Sequence, residues 1–399
     1  MRTALAAVVC SVFASASCGS DHDTAPTARP RPGAAAAVRI AAAPDAGVES
    51  WGGPVVSGAP DAYVATFRSA GSGAAAASAP QPKARLAGIG YPFEGKADGG
   101  TYVGPGVAAP WTNIAHGQYT VSIAHQGRWL GLRVWSRGGR WRAKVDGRYV
   151  DPKPRTVGGG YAYRTVGLDF SHAQPSRRHV VTFELSGGAW LAGIVAGTGD
   201  ELALPPQPKG PSVYWLGDSY FAGGGSRYPG FSDLVHRASG RLGFEDVTVD
   251  ALGGTGYVHD NAPAKFDDYL TRARTNFGKG KAHPDAIVIG GSINDIDQDP
   301  RKVGAAARRL YAYLERAVPA AKVFVVVFTP RYPVPANFAA LDRAVLRAAA
   351  ASPNVAGALD LPARVTRSAG GLQGANGHPT QAGHDSYGRL IADFIRAHE

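Results

Sequence analysis

After residue 212 the hydrophobic pattern changes period, and that change constrains the fold of this chain more than any other feature. Five short apolar runs follow it: Val213–Leu216, Val247–Val249, Ala286–Ile289, Val323–Phe328 and Val355–Leu359. They alternate with segments of helical spacing. Pro300–Val318 carries Val303, Leu310, Leu314 and Val318 on one face, and Asn337–Ala351 carries Leu341, Val345 and Leu346. Thr380–His398 carries Tyr387, Leu390, Ile391, Phe394 and Ile395. Strand–helix alternation of this kind predicts βαβ units and a parallel sheet covered on both sides.

The region from about 85 to 205 follows a different rule. Leu130, Leu132 and Val134 alternate with Gly131, Arg133 and Trp135, and Val181, Phe183 and Leu185 with Thr182 and Glu184. Trp141, Ala143 and Val145 alternate with Arg142 and Lys144 before the hairpin signal Asp146-Gly147. Short alternating strands between Gly-rich turns predict a β-sandwich, jelly-roll-like, over residues 51–205. Pro205-Pro206-Gln207-Pro208 closes it as a stiff linker to a second domain, 206–399. Trp111, Trp129, Trp135, Trp141 and Trp190 all fall in the β region. Aromatic rings can stack on sugars, but core and edge packing is the simpler expectation for each.

Residues 1–18 read as a secretory signal: Arg2, then the apolar stretch Leu5 to Ala14, then Ser15-Ala16-Ser17 before Cys18. The ending resembles a bacterial lipoprotein signal, in which the cysteine is acylated; ordinary cleavage is the alternative. The expected location is therefore secreted, periplasmic or lipid-anchored to the envelope through Cys18. Cys10 and Cys18 are the only cysteines, so a cleaved leader leaves a body with no disulfide and no Cys-based metal site. Residues 19–50, rich in Ala, Pro, Gly and Asp, read as a disordered tether, and Ser69 to Ala84 as a second such stretch or a long loop. The net charge of +11 comes from scattered Lys and Arg rather than a dense run, which favours general surface charge over a nucleic-acid partner. The 44 % hydrophobic content allows a sizeable core, and no stretch after the leader has the apolar length of a membrane helix.

Each apolar run of the second domain ends in a polar or glycine-rich loop. These are Gly217-Asp218-Ser219, Gly253-Gly254-Thr255-Gly256 and Gly290-Gly291-Ser292-Ile293-Asn294-Asp295, with Asn376-Gly377-His378-Pro379-Thr380 before the last helix. In a parallel sheet these loops share one edge, where ligands bind. Acyl transfer needs a hydroxyl nucleophile, a base, and donors for the oxyanion. Ser219 can be the nucleophile and His378 the base, with His384 and His259 as rivals. Gly254 can offer a backbone N–H, Asn294 a side-chain N–H and Ser219 its own N–H. Taken singly, each string also reads as a turn, a helix cap or a loop.

Together the four strings resemble the sequence blocks of the SGNH hydrolases, the GDSL esterase/lipase superfamily. Its Ser, Gly, Asn and His fall here on Ser219, Gly254, Asn294 and His378. The resemblance covers about residues 210–399. It implies a flavodoxin-like three-layer α/β/α domain and an ester hydrolase with no metal or cofactor. One position departs from the family: an Asp usually stands three residues before the catalytic His, and here that residue is Ala375, next to Asn376. The departure implies either a Ser–His dyad or atypical triad, with a backbone carbonyl or the Asn376 amide oxygen orienting His378, or poor activity. A β-sandwich ahead of an SGNH domain resembles carbohydrate esterase family 2, which implies an acetylesterase acting on acetylated polysaccharide or oligosaccharide; a monomer is the expected state. A lipase or short-chain esterase, and a non-catalytic glycan-binding or cell-wall protein with a degenerate triad, are the alternatives.

Overall fold

The structure is a computed structural model. It describes residues 118–399 apart from 174, 187, 198, 207, 209, 245, 263–266, 278–281 and 366–370, and before 118 it describes the backbone of strands between 39 and 105. The stretch expected to be a leader, residues 1–18, lies outside the described residues, as does Ser69 to Ala84 except for Ala84.

The first region contains β1 (Arg39–Ala41), β2 (Val48–Trp51), β3 (Val55–Ser57), β4 (Val64–Ala65), β5 (Ala84–Ala87), β6 (Pro92–Ala97), β7 (Gly100–Pro105) and β8 (Gln118–Gln126). It continues through β9 (Trp129–Ser136), β10 (Arg140–Val145), β11 (Arg148–Tyr149), β12 (Arg155–Thr156), β13 (Ala162–Asp169), β14 (His179–Ser186), β15 (Ala189–Gly197) and β16 (Glu201–Ala203). One sheet runs β1-β13-β9-β15-β7-β6 with β2 beside β15. The other runs β11-β10-β14-β8-β5-β3-β4, with β12 beside β10 and β16 beside β8. Pairing is antiparallel except between β3 and β5. Leu130, Leu132 and Val134 of β9 join Trp141, Ala143 and Val145 of β10 and Val181, Phe183 and Leu185 of β14 in one hydrophobic cluster drawn from both sheets. Strands β1 and β2 lie within the stretch expected to be a tether, so strand structure begins before residue 51. Ile40, Val48 and Trp51 supply the β-forming side chains there, and the surrounding Ala and Pro masked that signal. Trp129, Trp141 and Trp190 are buried, in keeping with packing, and Trp111 lies outside the described residues.

The second region is a five-stranded, fully parallel sheet. Its strands are β17 (Ser212–Gly217), β18 (Asp246–Ala251), β19 (Ala286–Gly291), β20 (Lys322–Val327) and β21 (Val355–Asp360). Their spatial order is β18-β17-β19-β20-β21, the flavodoxin-like arrangement, with a crevice between the first and third strands to form. Helices α1 (Leu234–Leu242), α2 (Tyr269–Asn276), α3 (Pro300–Ala317), α4 (Ala336–Ala350), the short α5 (Leu361–Arg364) and α6 (Gln381–Arg396) connect and cover the strands. Successive side chains of a strand point to opposite faces. Accordingly Tyr214, Leu216, Ile287 and Ile289 join a cluster with α2, α3 and α4, while Val213, Trp215 and Val288 join one with α1 and α6. Three layers follow.

The helix termini are chemically marked. The Asp233 side chain accepts from the N–H of His236 at the start of α1, which ends on Gly243 at φ 73. Asp299 caps α3 ahead of Pro300, and Thr380 caps α6 by accepting from Gly383. Among the described residues no helix is long and apolar enough to cross a membrane.

Candidate active site

The register of the parallel sheet brings the strand ends level: Gly217 pairs with Ala251 and Gly290, and Gly291 with Val327. Gly217 and Gly290 leave room for the Phe221 ring beneath the turn; a Cβ on either would lie 2.5 or 2.3 Å from it. Beyond Gly217 the chain turns sharply. Tyr220 N–H donates to the Asp218 carboxylate at 2.9 Å, Ala222 N–H to the Asp218 carbonyl at 3.0 Å, and Gly224 N–H to the Ser219 carbonyl at 2.8 Å. Ser219, half-buried, stands at the apex, with its Oγ 2.9 Å from Nε2 of His378. That is hydrogen-bond reach for a nucleophile and its base.

His378 is held by what surrounds its ring. Burial lowers its pKa from the ordinary imidazole value, which keeps it neutral near pH 7. With Nε2 accepting from the serine hydroxyl, the proton belongs on Nδ1. Nδ1 is buried and, among the described residues, has no hydrogen-bond partner. This corrects the expectation for Asn376: its Oδ1 accepts from the backbone N–H of His378 at 3.2 Å and not from the ring. The amide oxygen is satisfied by the main chain two residues on, a local Asx-type bond that competes with any longer reach. Ala375 is exposed and offers no acceptor.

Sterics replace the missing partner. A Cβ on Gly224 would lie 2.5 Å from Cδ2 of His378, so the ring lies directly against the Gly224 backbone. Gly225, at φ +87, leaves room for the Pro379 carbonyl, 2.2 Å from where its Cβ would be. On another side, the Tyr220 ring lies 5.8 Å from the His378 ring, and the Tyr220 hydroxyl donates to the Gly377 carbonyl at 2.6 Å.

The rival histidines do other work. His384 is fully buried; Nδ1 accepts from Leu234 N–H at 3.1 Å, which puts the proton on Nε2, and Nε2–H donates to the Gly224 carbonyl at 3.0 Å. It therefore braces the same glycine that confines His378. His259 is exposed and its backbone N–H donates to Asp295 at 2.9 Å.

Gly254 and Asn294 border the same edge. Gly254 adopts φ +78, and a side chain there would strike the Asn261 amide at 2.6 Å. Asn294 Nδ2 donates to the Thr255 carbonyl at 2.9 Å and makes a longer contact of 3.3 Å to Asp218. It thus ties together the loops after β17, β18 and β19. Burial pushes the Asp218 carboxyl up to about 7. Asp295, buried, accepts from the N–H groups of Tyr257, Val258 and His259 at 2.8, 3.1 and 2.9 Å and so shapes the loop beyond Gly256. Ser292 adopts φ 107, strained for a residue with a Cβ, and its hydroxyl donates to Asp342 at 2.7 Å.

One supporting group was missed at the level of sequence. Arg272 of α2 is fully buried; Nη1 pairs with Asp250 at 2.6 Å and Nη2 donates to the Gly217 carbonyl at 2.9 Å. Tyr214 completes the pair by donating to Asp250 at 2.9 Å. The signal was Asp250 itself, a charge set between Val249 and Ala251-Leu252 at the buried end of the strand, which requires a partner. Among the described residues no group of three or more His, Cys, Asp or Glu could hold a metal ion.

Residues 215–385 match the family model of the GDSL-like lipase/acylhydrolase family. No curated protein matches the chain. Three solved structures illustrate the shared architecture. A carbohydrate esterase family 2 enzyme with a carbohydrate-binding domain, from Corynascus thermopiles (Myceliophthora fergusii), is 19 % identical with a TM-score of 0.53, over 73 % of this chain and 97 % of that one. A family 2 carbohydrate esterase from Cellvibrio japonicus is 16 % identical with a TM-score of 0.53, over 79 % and 97 %. A salicylyl-acyltransferase from a tetracycline biosynthetic pathway is 14 % identical with a TM-score of 0.56, over 79 % and 96 %. At these identities the likeness speaks to fold, and the family match speaks to the α/β region. Residues 215–385 thus match the GDSL-like lipase/acylhydrolase family, with an SGNH-type fold, in a chain whose two-region layout resembles that of carbohydrate esterase family 2 structures.

Proposed function

We propose that this protein is an exported serine esterase that removes O-acyl groups, chiefly O-acetyl, from carbohydrate. The observation that carries the reading is the 2.9 Å contact between Ser219 Oγ and His378 Nε2, made across 159 residues of sequence. His378 takes the hydroxyl proton as Ser219 attacks the ester carbonyl. The N–H groups of Ser219 and Gly254 and the Asn294 amide receive the oxyanion; Asn294 does so by giving up its longer contact to Asp218 while keeping Thr255. The imidazolium then returns its proton to the leaving alcohol. Water, deprotonated by the same histidine, cleaves the acyl-enzyme.

The pair works as a dyad. In serine proteases, replacing the triad aspartate with asparagine costs about 10⁴ in turnover. Here the Gly224 backbone and Tyr220 confine the ring instead, so orientation is retained while electrostatic support of the imidazolium is not.

The carbohydrate assignment draws support from the family 2 neighbours; the enzyme from Clostridium thermocellum was solved in complex with cellohexaose. A jelly-roll-like sandwich over 51–205, supported by the shared core of the two sheets, is the accessory domain of this reading, and 206–399 the hydrolase domain. Export through residues 1–18, with acylation of Cys18 as the anchored form, and a monomeric state complete it. The test is Ser219→Ala. Hydrolysis of an aryl acetate and labelling by a fluorophosphonate should both vanish while the circular dichroism spectrum stays unchanged. Undiminished hydrolysis in that variant overturns the proposal.

A further inference from the structure

A cleft of about 1090 Å³ opens between the second β sheet and the stretch from Arg227 to Val247. Neither Ser219 nor His378 lines it. Small-molecule sites span roughly 300–1,000 Å³, so this cleft has room for an oligomer. Its lining contains five Lys or Arg side chains and two carboxylates.

The charge at its floor is structured. Glu184, with 5 % of its side chain exposed, lies between two cations: Arg142 Nε pairs with Oε2, and Lys144 Nζ is 2.9 Å from Oε1. Burial pushes the Glu184 carboxyl up, but Lys144 and Arg142 together outweigh burial and hold it below the ordinary carboxylate range. One ionised carboxylate between two cations leaves one positive charge uncompensated in a partly desolvated place, where an incoming anion is worth more than at an open surface. Lys153 and Arg227 stand exposed in the same lining; the Lys153 charge acts on Asp151 beside it, and among the described residues Arg227 pairs with no carboxylate. Walls of low dielectric focus such a field.

The remaining lining is suited to sugar. The Tyr149 ring packs under Arg142 at 4.4 Å, and Phe231 lies 4.9 Å from the same guanidinium. The hydroxyls of Ser122 and Thr182, 3.0 Å apart, sit on the adjoining strands. A guanidinium held against two rings for carboxylate recognition, with hydroxyl partners in the same groove, points to a single ligand chemistry. We propose that this cleft binds an anionic oligosaccharide built of uronic-acid units. The loop that begins at Ser219 supplies Arg227, Tyr228 and Phe231 to the cleft, so one segment borders both sites. That the bound glycan is also the acylated substrate rests on the esterase reading; the binding does not.

The experiment is calorimetric titration of the full chain carrying Ser219→Ala with hexagalacturonate, with cellohexaose as the neutral counterpart of equal length. Hexagalacturonate should bind at least about tenfold more tightly, with an affinity that falls as salt is added. The pair Lys153→Glu and Arg227→Glu, and the milder pair Lys153→Gln and Arg227→Gln, should each weaken binding by about tenfold or more. Reversal of Arg301 and Lys302, exposed cations of α3 outside this lining, should change nothing. Equal binding of the neutral oligomer overturns the proposal, as does an equal loss in the α3 control or tighter binding of a single-stranded oligonucleotide. Wild-type hydrolysis of the aryl acetate is measured alongside. Absent uronate binding with intact hydrolysis removes the cleft alone, and intact binding without serine-dependent hydrolysis removes the esterase alone.

Discussion

The surface turn that carries His378 and the buried first turn of α6 that carries His384 are neighbours in sequence and treat an imidazole in opposite ways. His384 has both ring nitrogens matched, one accepting from Leu234 N–H and one donating to the Gly224 carbonyl. Its tautomer is fixed, and burial lowers its pKa, so it stays neutral and acts as a strut. His378 has one nitrogen on Ser219 and the other unpartnered. Leaving a buried N–H unmatched costs about 1–3 kcal/mol, which the fold tolerates only because the rest of the site is over-determined. The contrast teaches that bonding, more than proximity to a glycine loop, separates a structural histidine from one free to move a proton. The two are also linked, because the strut bonds the glycine against which the other ring rests.

Four changes would break or sharpen that contrast. Gly224→Ala places a methyl against the His378 ring, and kcat/KM for an aryl acetate should fall by about 10² or more, since displacing a reacting group by about 1 Å costs that much. An unaltered rate would mean that the ring is not confined by Gly224. Next in size, His384→Phe keeps the bulk and loses both hydrogen bonds. Denaturant melts should show a loss of about 2–4 kcal/mol, and kcat should drop with KM little changed. His384→Gln, whose amide can accept from Leu234 and donate to Gly224, should recover most of both; a Gln variant as poor as Phe would deny the bonding role.

Ala375→Asp offers Nδ1 the carboxylate that the family ordinarily supplies. A nearby carboxylate favours the imidazolium, so the base should titrate higher and kcat/KM should rise by about tenfold. No movement in either quantity would show that position 375 cannot serve the ring. The smallest effect concerns pH. Protonated His378 cannot accept the serine proton, so kcat/KM should climb as pH rises through its pKa. Because burial lowers that pKa, the midpoint should fall below 6.5 and the rate should be level across neutrality. A midpoint above 6.5 would contradict the placement of the imidazole.

Much of the second region was legible because periodicity survives folding. The five apolar runs became β17 to β21 within a residue or two, and the loops after them met at one edge. Ser219 and His378 were legible for the same reason: a strand end followed by Gly-Asp-Ser, and a histidine ahead of a capped helix, are local patterns. Helices α1 and α2 were not read, since each spans little more than two turns, too short for a helical period to stand out. The partner of the Asn376 side chain depended on a choice between two donors close in space, which residue type alone does not decide. Arg272 and Asp250 lie on separate elements and meet only once α2 packs against the sheet.

The order of apolar and polar residues by itself determined that this chain has an alternating β region and a parallel α/β region with four polar loops at one edge. Those features depend on side-chain period and turn chemistry, which act over a few residues. Only the tertiary structure decided that one imidazole bonds Ser219 while the other braces Gly224, and that Glu184 is shared by two cations beside the cleft. Hydrogen bonds and ion pairs are settled within a few tenths of an ångström between groups far apart in the chain. Such distances exist only after the layers have packed.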